Sequence, residues 1–244
     1  MRLFLLLLSA TAYAADSPTL HPKTEPKPGG IVMFGDSTTA PRGSLKVYAT
    51  RVEAALQSVG SMLSVHNAGI GGNTTRDARK RMQTDVLQYQ PRLVVMQFGI
   101  NDSCVDVWKN PPATAPRIAM EEYLLNLRIM ITAAQNAQAK VILMTTNPLR
   151  WTPKLKELYG KPPYHPKAED GFDSATLGGY NEALRKLAAE LKVPLVDVRA
   201  AYPEFAKQHQ TTIDGLLLDG MHPNDLGQEL VAELLLPAIR AALR

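Results

Sequence analysis

The chain has 244 residues, a net charge of +4 and a single cysteine. That length suits one α/β domain with a sizeable core and is short for two, and one cysteine excludes an internal disulfide. The basic residues are scattered; the densest run, "RDARKRM" from Arg76, has the spacing of a solvated helix face and gives no nucleic-acid patch.

The chain opens with "MRLFLLLLSATAYAADSPT", in which Arg2, an apolar block over residues 3–8 and the triplet Ala12, Tyr13, Ala14 form the pattern of a secretory signal peptide. Residues 1–14 are therefore expected to be removed, which lowers the net charge by Arg2 alone, from +4 to +3. The apolar block is too short for a permanent membrane anchor and no later segment is long enough, so the mature protein is expected to be secreted or periplasmic. A leader rich in Pro, Lys and Gly covers residues 15–29, and one domain is expected over residues 30–244.

Within that domain, short apolar runs predict strands at "IVMF" (31–34), "MLSVHNA" (62–68), "LVVMQFG" (93–99), "KVILMTTN" (140–147) and "PLVDV" (194–198). Several are dense in Val and Ile or apolar throughout, as parallel strands buried on both faces tend to be. Helical spacing joins Tyr48, Val52, Ala55 and Val59, then Ala78, Met82, Val86 and Tyr89, then Met120, Leu124, Leu127, Ile131 and Ala134. It recurs in Tyr180, Leu184, Leu187 and Leu191 and again in Leu226, Leu230 and Leu234. Five alternations of strand and helix predict a five-stranded parallel sheet covered on both faces.

Ligands bind such sheets at the carboxyl ends of the strands. Those ends read "GDST", "NAGIGGNTT", "FGINDS" and "TTNPLRW", and "LLLDGMHPND" precedes the last helix. Asp219 and His222 are three residues apart, which in a turn or helix brings both side chains to one side. The Asp can then hold one imidazole nitrogen and leave the other as a general base. Ser37 stands where a strand should end, with a hydroxyl that needs such a base and a backbone N–H available to a pocket. Gly72 could add an unobstructed N–H and Asn101 an amide NH₂. Each segment, taken singly, also reads as an ordinary turn. The signature G-x-S-x-G is absent, which excludes the common α/β-hydrolase pattern.

Together "FGDST", "NAGIGGNTT", "FGIND" and "DGMHPND", in this order, resemble the GDSL-type, or SGNH, hydrolase family, from about Ile31 to the C-terminus. The resemblance implies a three-layer α/β/α sandwich like flavodoxin, with Ser37 as nucleophile, His222 as base and Asp219 orienting it. It further implies an oxyanion hole made of the Ser37 and Gly72 N–H groups and the Asn101 side chain. The fourth residue of the first motif is Thr38, where the family's name has Leu.

No cofactor is expected, and the five dispersed histidines give no metal-ligand spacing. Two Pro-rich segments after the third and fourth strands carry Trp108, Arg150, Trp151 and Tyr164. Their rings either face a sugar or pin down the loops themselves. These features predict an exported O-acetylesterase acting on a small-molecule or oligosaccharide ester. The alternatives are a lysophospholipase or thioesterase of the same fold, or a non-catalytic carbohydrate-binding protein. No oligomeric state follows from the sequence.

Overall fold

The computed structural model describes residues 29–244; the expected signal peptide and residues 15–28 of the leader lie outside the described residues. Five strands, β1 (Ile31–Gly35), β2 (Val65–Gly69), β3 (Leu93–Gln97), β4 (Lys140–Met144) and β5 (Leu195–Val196), form one sheet in the order β2-β1-β3-β4-β5. All pairings are parallel, with Ile31 beside both Val65 and Leu93.

The apolar runs are explained by burial on both sides. Ile31, Met33, Leu93, Val95, Ile142 and Met144 point into one core, and Val32, Phe34, Val94, Met96, Val141 and Leu143 into the other. Successive side chains on a strand alternate faces, so a strand between two helical layers has no polar face to show. The first core is closed by α1 (Tyr48–Gln57), α7 (Val198–Gln208) and α8 (Asp225–Leu243). The second is closed by α2 (Thr75–Asp85), α4 (Met120–Asn136) and α6 (Leu177–Leu191). The result is the expected three-layer α/β/α sandwich.

Several boundaries differ from expectation. The second strand starts at Val65, and Met62 is 89% exposed. Helix α1 ends at Gln57, so Leu56 takes the buried place expected of Val59. The fifth strand is cut to two residues because Asp197 turns the chain and caps α7 through Ala200 N–H. Two short helices, α3 (Ile100–Ser103) and α5 (Pro153–Tyr159), occupy segments with no strong periodicity.

The chain leaves β1 outward to β2, then crosses to β3 on the other side of β1. That reversal opens a crevice at the carboxyl ends of β1 and β3, the place where doubly wound sheets receive ligands.

Candidate active site

Ser37 lies two residues past the end of β1 and Asn101 lies in α3, which starts three residues past the end of β3, so both stand at this crevice. Gly72 follows β2, with φ +77°, a conformation that L side chains rarely adopt. Its neighbour Gly71 is so near that a Cβ there would lie 3.8 Å from the Ser37 Cβ.

The segment around Ser37 is fixed from both sides. Asp36, fully buried, accepts hydrogen bonds at Oδ1 from the Thr38 N–H and hydroxyl, each at 2.9 Å. The backbone N–H groups of Thr39 and Ala40 donate to the Asp36 carbonyl. Burial drives the Asp36 carboxyl above the usual carboxylate range, against these hydrogen bonds and the nearby His222. Arg42 Nη2 reaches the Ser37 carbonyl at 3.5 Å.

His222 arrives from the turn that precedes α8. Its Nε2 is 2.9 Å from Ser37 Oγ, and its Nδ1 is 2.8 and 3.0 Å from the two Asp219 oxygens. Asp219 Oδ1 also accepts the backbone N–H groups of Met221, at 3.1 Å, and His222, at 2.9 Å. Desolvation raises the Asp219 pKa, but the His222 ring and these backbone donors outweigh it and hold the carboxyl far below its ordinary value. Gly220 makes the turn possible: its φ is +82°, and a Cβ would fall 2.3 Å from the Arg150 carbonyl oxygen. Asn147 Nδ2 donates to the Met221 carbonyl at 2.9 Å and the Arg150 N–H to the Gly220 carbonyl at 2.8 Å, so the loop after β4 braces the histidine turn.

Asn101 is 8% exposed. Its Nδ2 donates weakly, at 3.2 Å to the Asn73 carbonyl and at 3.3 Å to Asp36 Oδ2. Among the described residues, no acceptor engages the backbone N–H of Ser37 or of Gly72. The Ser37 hydroxyl is thus in contact with an imidazole, while Asn101 reaches Asp36, the residue before Ser37, and Gly71, the residue before Gly72, approaches the Ser37 side chain.

The four substrate-side candidates separate. Trp108 is 49% exposed and stands on the loop after α3. Tyr164 is 3% exposed, its hydroxyl accepts from the Val105 N–H at 2.8 Å, and it lines a small cavity together with Ile100 and Met221. Trp151 stacks on Phe172 with ring centroids 4.8 Å apart, inside a cluster with Tyr159 and Tyr164. Arg150 is buried and its Nε lies 3.7 Å from both Glu169 and Asp214. These three side chains fasten the long loops to each other, because a loop of that length needs an apolar core of its own. Among the described residues, no group of three or more His, Cys, Asp or Glu could hold a metal ion, and no helix is long and apolar enough to cross a membrane.

The sequence matches the GDSL-like Lipase/Acylhydrolase family over residues 33–230. It is 34% identical to the uncharacterized lipoprotein YqeF of Bacillus subtilis, over 68% of this chain and 69% of that protein. It is 28% identical to an acetylxylan esterase of Geobacillus stearothermophilus, over 87% and 86% of the two chains. It is also 27% identical to thioesterase 1/protease 1/lysophospholipase L1 of Escherichia coli, over 95% and 86%. Among solved structures, the lipase/acylhydrolase of Enterococcus faecalis superposes with a TM-score of 0.67 at 25% identity, covering 87% of this chain and 96% of that one. With its parallel sheet in the order β2-β1-β3-β4-β5 and a family match that spans most of the fold, the chain belongs to the GDSL-like lipase/acylhydrolase family and is a hydrolase of ester bonds.

Proposed function

We propose that this protein is an exported serine esterase that removes acetyl groups from carbohydrate through an acyl-enzyme on Ser37. The observation that carries the reading is the unbroken line from Asp219 to His222 to Ser37, with contacts of 2.8 and 2.9 Å. Ionised Asp219 holds the proton on Nδ1 and leaves the Nε2 lone pair facing the hydroxyl. As Oγ attacks the acyl carbon, its proton passes to Nε2 and the carbonyl electron pair moves onto oxygen. The Ser37 and Gly72 N–H groups and Asn101 Nδ2 receive that oxyanion; Asn101 does so by exchanging its long bond to Asn73 for a shorter one. His222 then returns the proton to the departing sugar oxygen, and water repeats the sequence to release acetate and restore Ser37.

The sugar reading is supported by the acetylxylan esterase relative and by exposed Trp108, whose indole face suits a pyranose ring. A cavity of about 10 Å³ lined by Ile100, Cys104, Leu149, Tyr164 and Met221, among others, has room for little more than a methyl group. Ile100 precedes Asn101 in the chain and Met221 precedes His222. Export is supported by the N-terminal sequence pattern and by a relative that is named a lipoprotein.

The test is acetate release by the purified mature protein from acetylated xylan, pectin and sialate, run beside lysophospholipids and acyl thioesters. Turnover confined to the last two overturns the sugar reading and favours the activities named for the Escherichia coli relative. A fluorophosphonate probe should label the wild type and not Ser37→Ala.

A further inference from the structure

Asn101 has a partner that none of the strand-end motifs contains. Arg117, sixteen residues along the chain, donates from Nη1 to Asn101 Oδ1 at 3.2 Å. A guanidinium has donors only, so this contact decides which end of the amide is oxygen and leaves Nδ2 toward Asn73 and Asp36 at the crevice. The guanidinium is clamped in turn: Nε is 3.1 Å from both Asp106 oxygens and Nη2 is 2.7 Å from Oδ1. Asp106 is 3% exposed and takes a second cation, Lys109, at 2.8 Å. The Arg117 backbone is also fixed, by its N–H to the Cys104 carbonyl at 2.9 Å, and Ile118 N–H donates to the Asp102 carbonyl at 3.1 Å. The loop from Cys104 to Arg117 therefore leaves α3 and returns to it, and it carries Trp108 at its exposed part.

The fork between Arg117 and Asp106, with these backbone bonds, already closes the loop. The additional donor, aimed at the amide oxygen, has a different consequence. A cation on the carbonyl end of an amide draws electron density from nitrogen, and the N–H at the other end becomes a stronger donor. We propose that Arg117 is a positioning residue for the oxyanion hole: it sets the orientation of the Asn101 side chain and strengthens its N–H toward the charge that develops on the substrate. This rests on the reading of Asn101 as an oxyanion donor, and it explains how an amide bonded at 3.2 and 3.3 Å in the free enzyme is kept ready rather than locked in place.

The experiment is a kinetic cycle on p-nitrophenyl acetate with Arg117→Met, Asn101→Ala and the double variant, alongside thermal unfolding of each. Arg117→Met should lower kcat about tenfold, the difference between a charge-assisted and an ordinary hydrogen bond, with KM within about twofold. In the Asn101→Ala background the same substitution should change kcat less than about twofold. Equal losses in both backgrounds, or a change confined to KM, would overturn the proposal. Arg117→Lys guards against a folding failure: it keeps a cation for Asp106 but cannot span both partners, and it should unfold near the wild-type temperature while losing most of the same factor. Full activity in Arg117→Lys also overturns it. If Asn101→Ala itself leaves kcat unchanged, the proposal falls with its premise, while fluorophosphonate labelling of Ser37 still judges the esterase reading separately.

Discussion

Asp102 is fully buried, and only one of its carboxyl oxygens has a partner: Oδ1 accepts the Thr75 N–H at 2.9 Å and the Thr75 hydroxyl at 2.5 Å, while Oδ2 has none. Burial pushes its pKa up to about 6, against the Thr75 hydrogen bonds and with a further rise from the nearby Asp36. A carboxyl whose folded pKa exceeds its unfolded one binds its proton more tightly when folded, so the stability this group contributes is fully present below about pH 4 and is lost as pH rises through 6. The full difference is on the order of 3 kcal/mol. Asp102→Asn keeps an acceptor for Thr75 and removes the titration. Urea unfolding of this variant should show a flatter pH profile between 4 and 7 than the wild type; parallel profiles would mean that Asp102 is ionised throughout. At the crevice, Ser37→Ala and His222→Ala should each remove nearly all turnover, and the pair together little more, since they act as a unit; additive losses measured in kcat would break that link. The segments carrying Ser37, Asn101, Asp219 and His222 could be read from the sequence because each sits at a strand end or before a helix start, where local pattern marks the place. Arg117 could not, because its contact with Asn101 exists only after a loop has closed. The roles of Tyr164 and Trp151 stayed open for a related reason: aromatic content does not say whether a loop turns its rings outward or against itself.

Helix α1 has no side-chain cap of its own: Val47 precedes it and offers none. The missing acceptor comes from α8, where buried Gln228 takes the Tyr48 N–H on Oε1 at 2.7 Å and donates from Nε2 to the Thr38 carbonyl at 3.4 Å. Helix α2, by contrast, carries a complete capping box in Thr74 and Asp77. Gln228→Met should therefore lower stability by about 1–3 kcal/mol, because the buried Tyr48 N–H loses its partner. The change should appear in the urea midpoint with the slope unaltered; an altered slope would mean a looser fold instead. The elements themselves were legible where periodicity was strong and long: five strands and five helices follow the apolar pattern. Helix α7 was not, although Val198, Tyr202, Phe205 and Ala206 share its buried face, because Pro203 lies inside it and a two-residue strand precedes it. Helix α5 starts at Pro153 within a segment whose prolines suggested a loop.

At the scale of the molecule, the sheet separates two apolar cores that never touch through side chains of the same strand residue. Ile239 of α8 is buried in one and Ile131 of α4 in the other. The crevice stands at the edge of both, since β1 and β3 contribute to each core before their ends supply Ser37 and Asn101. If the described region unfolds as one domain, loss of packing on either face must weaken the whole. Ile239→Val and Ile131→Val should each reduce stability by about 0.5–1.5 kcal/mol, the range for deleting one buried methylene. The double variant should show the sum within about 0.5 kcal/mol, because the sites lie on opposite sides of the sheet and share no partner. Circular dichroism and tyrosine fluorescence should report one coincident transition for all three. A split transition in either single variant would show that one helical layer can melt while the other holds, and that the crevice is supported by only one of them.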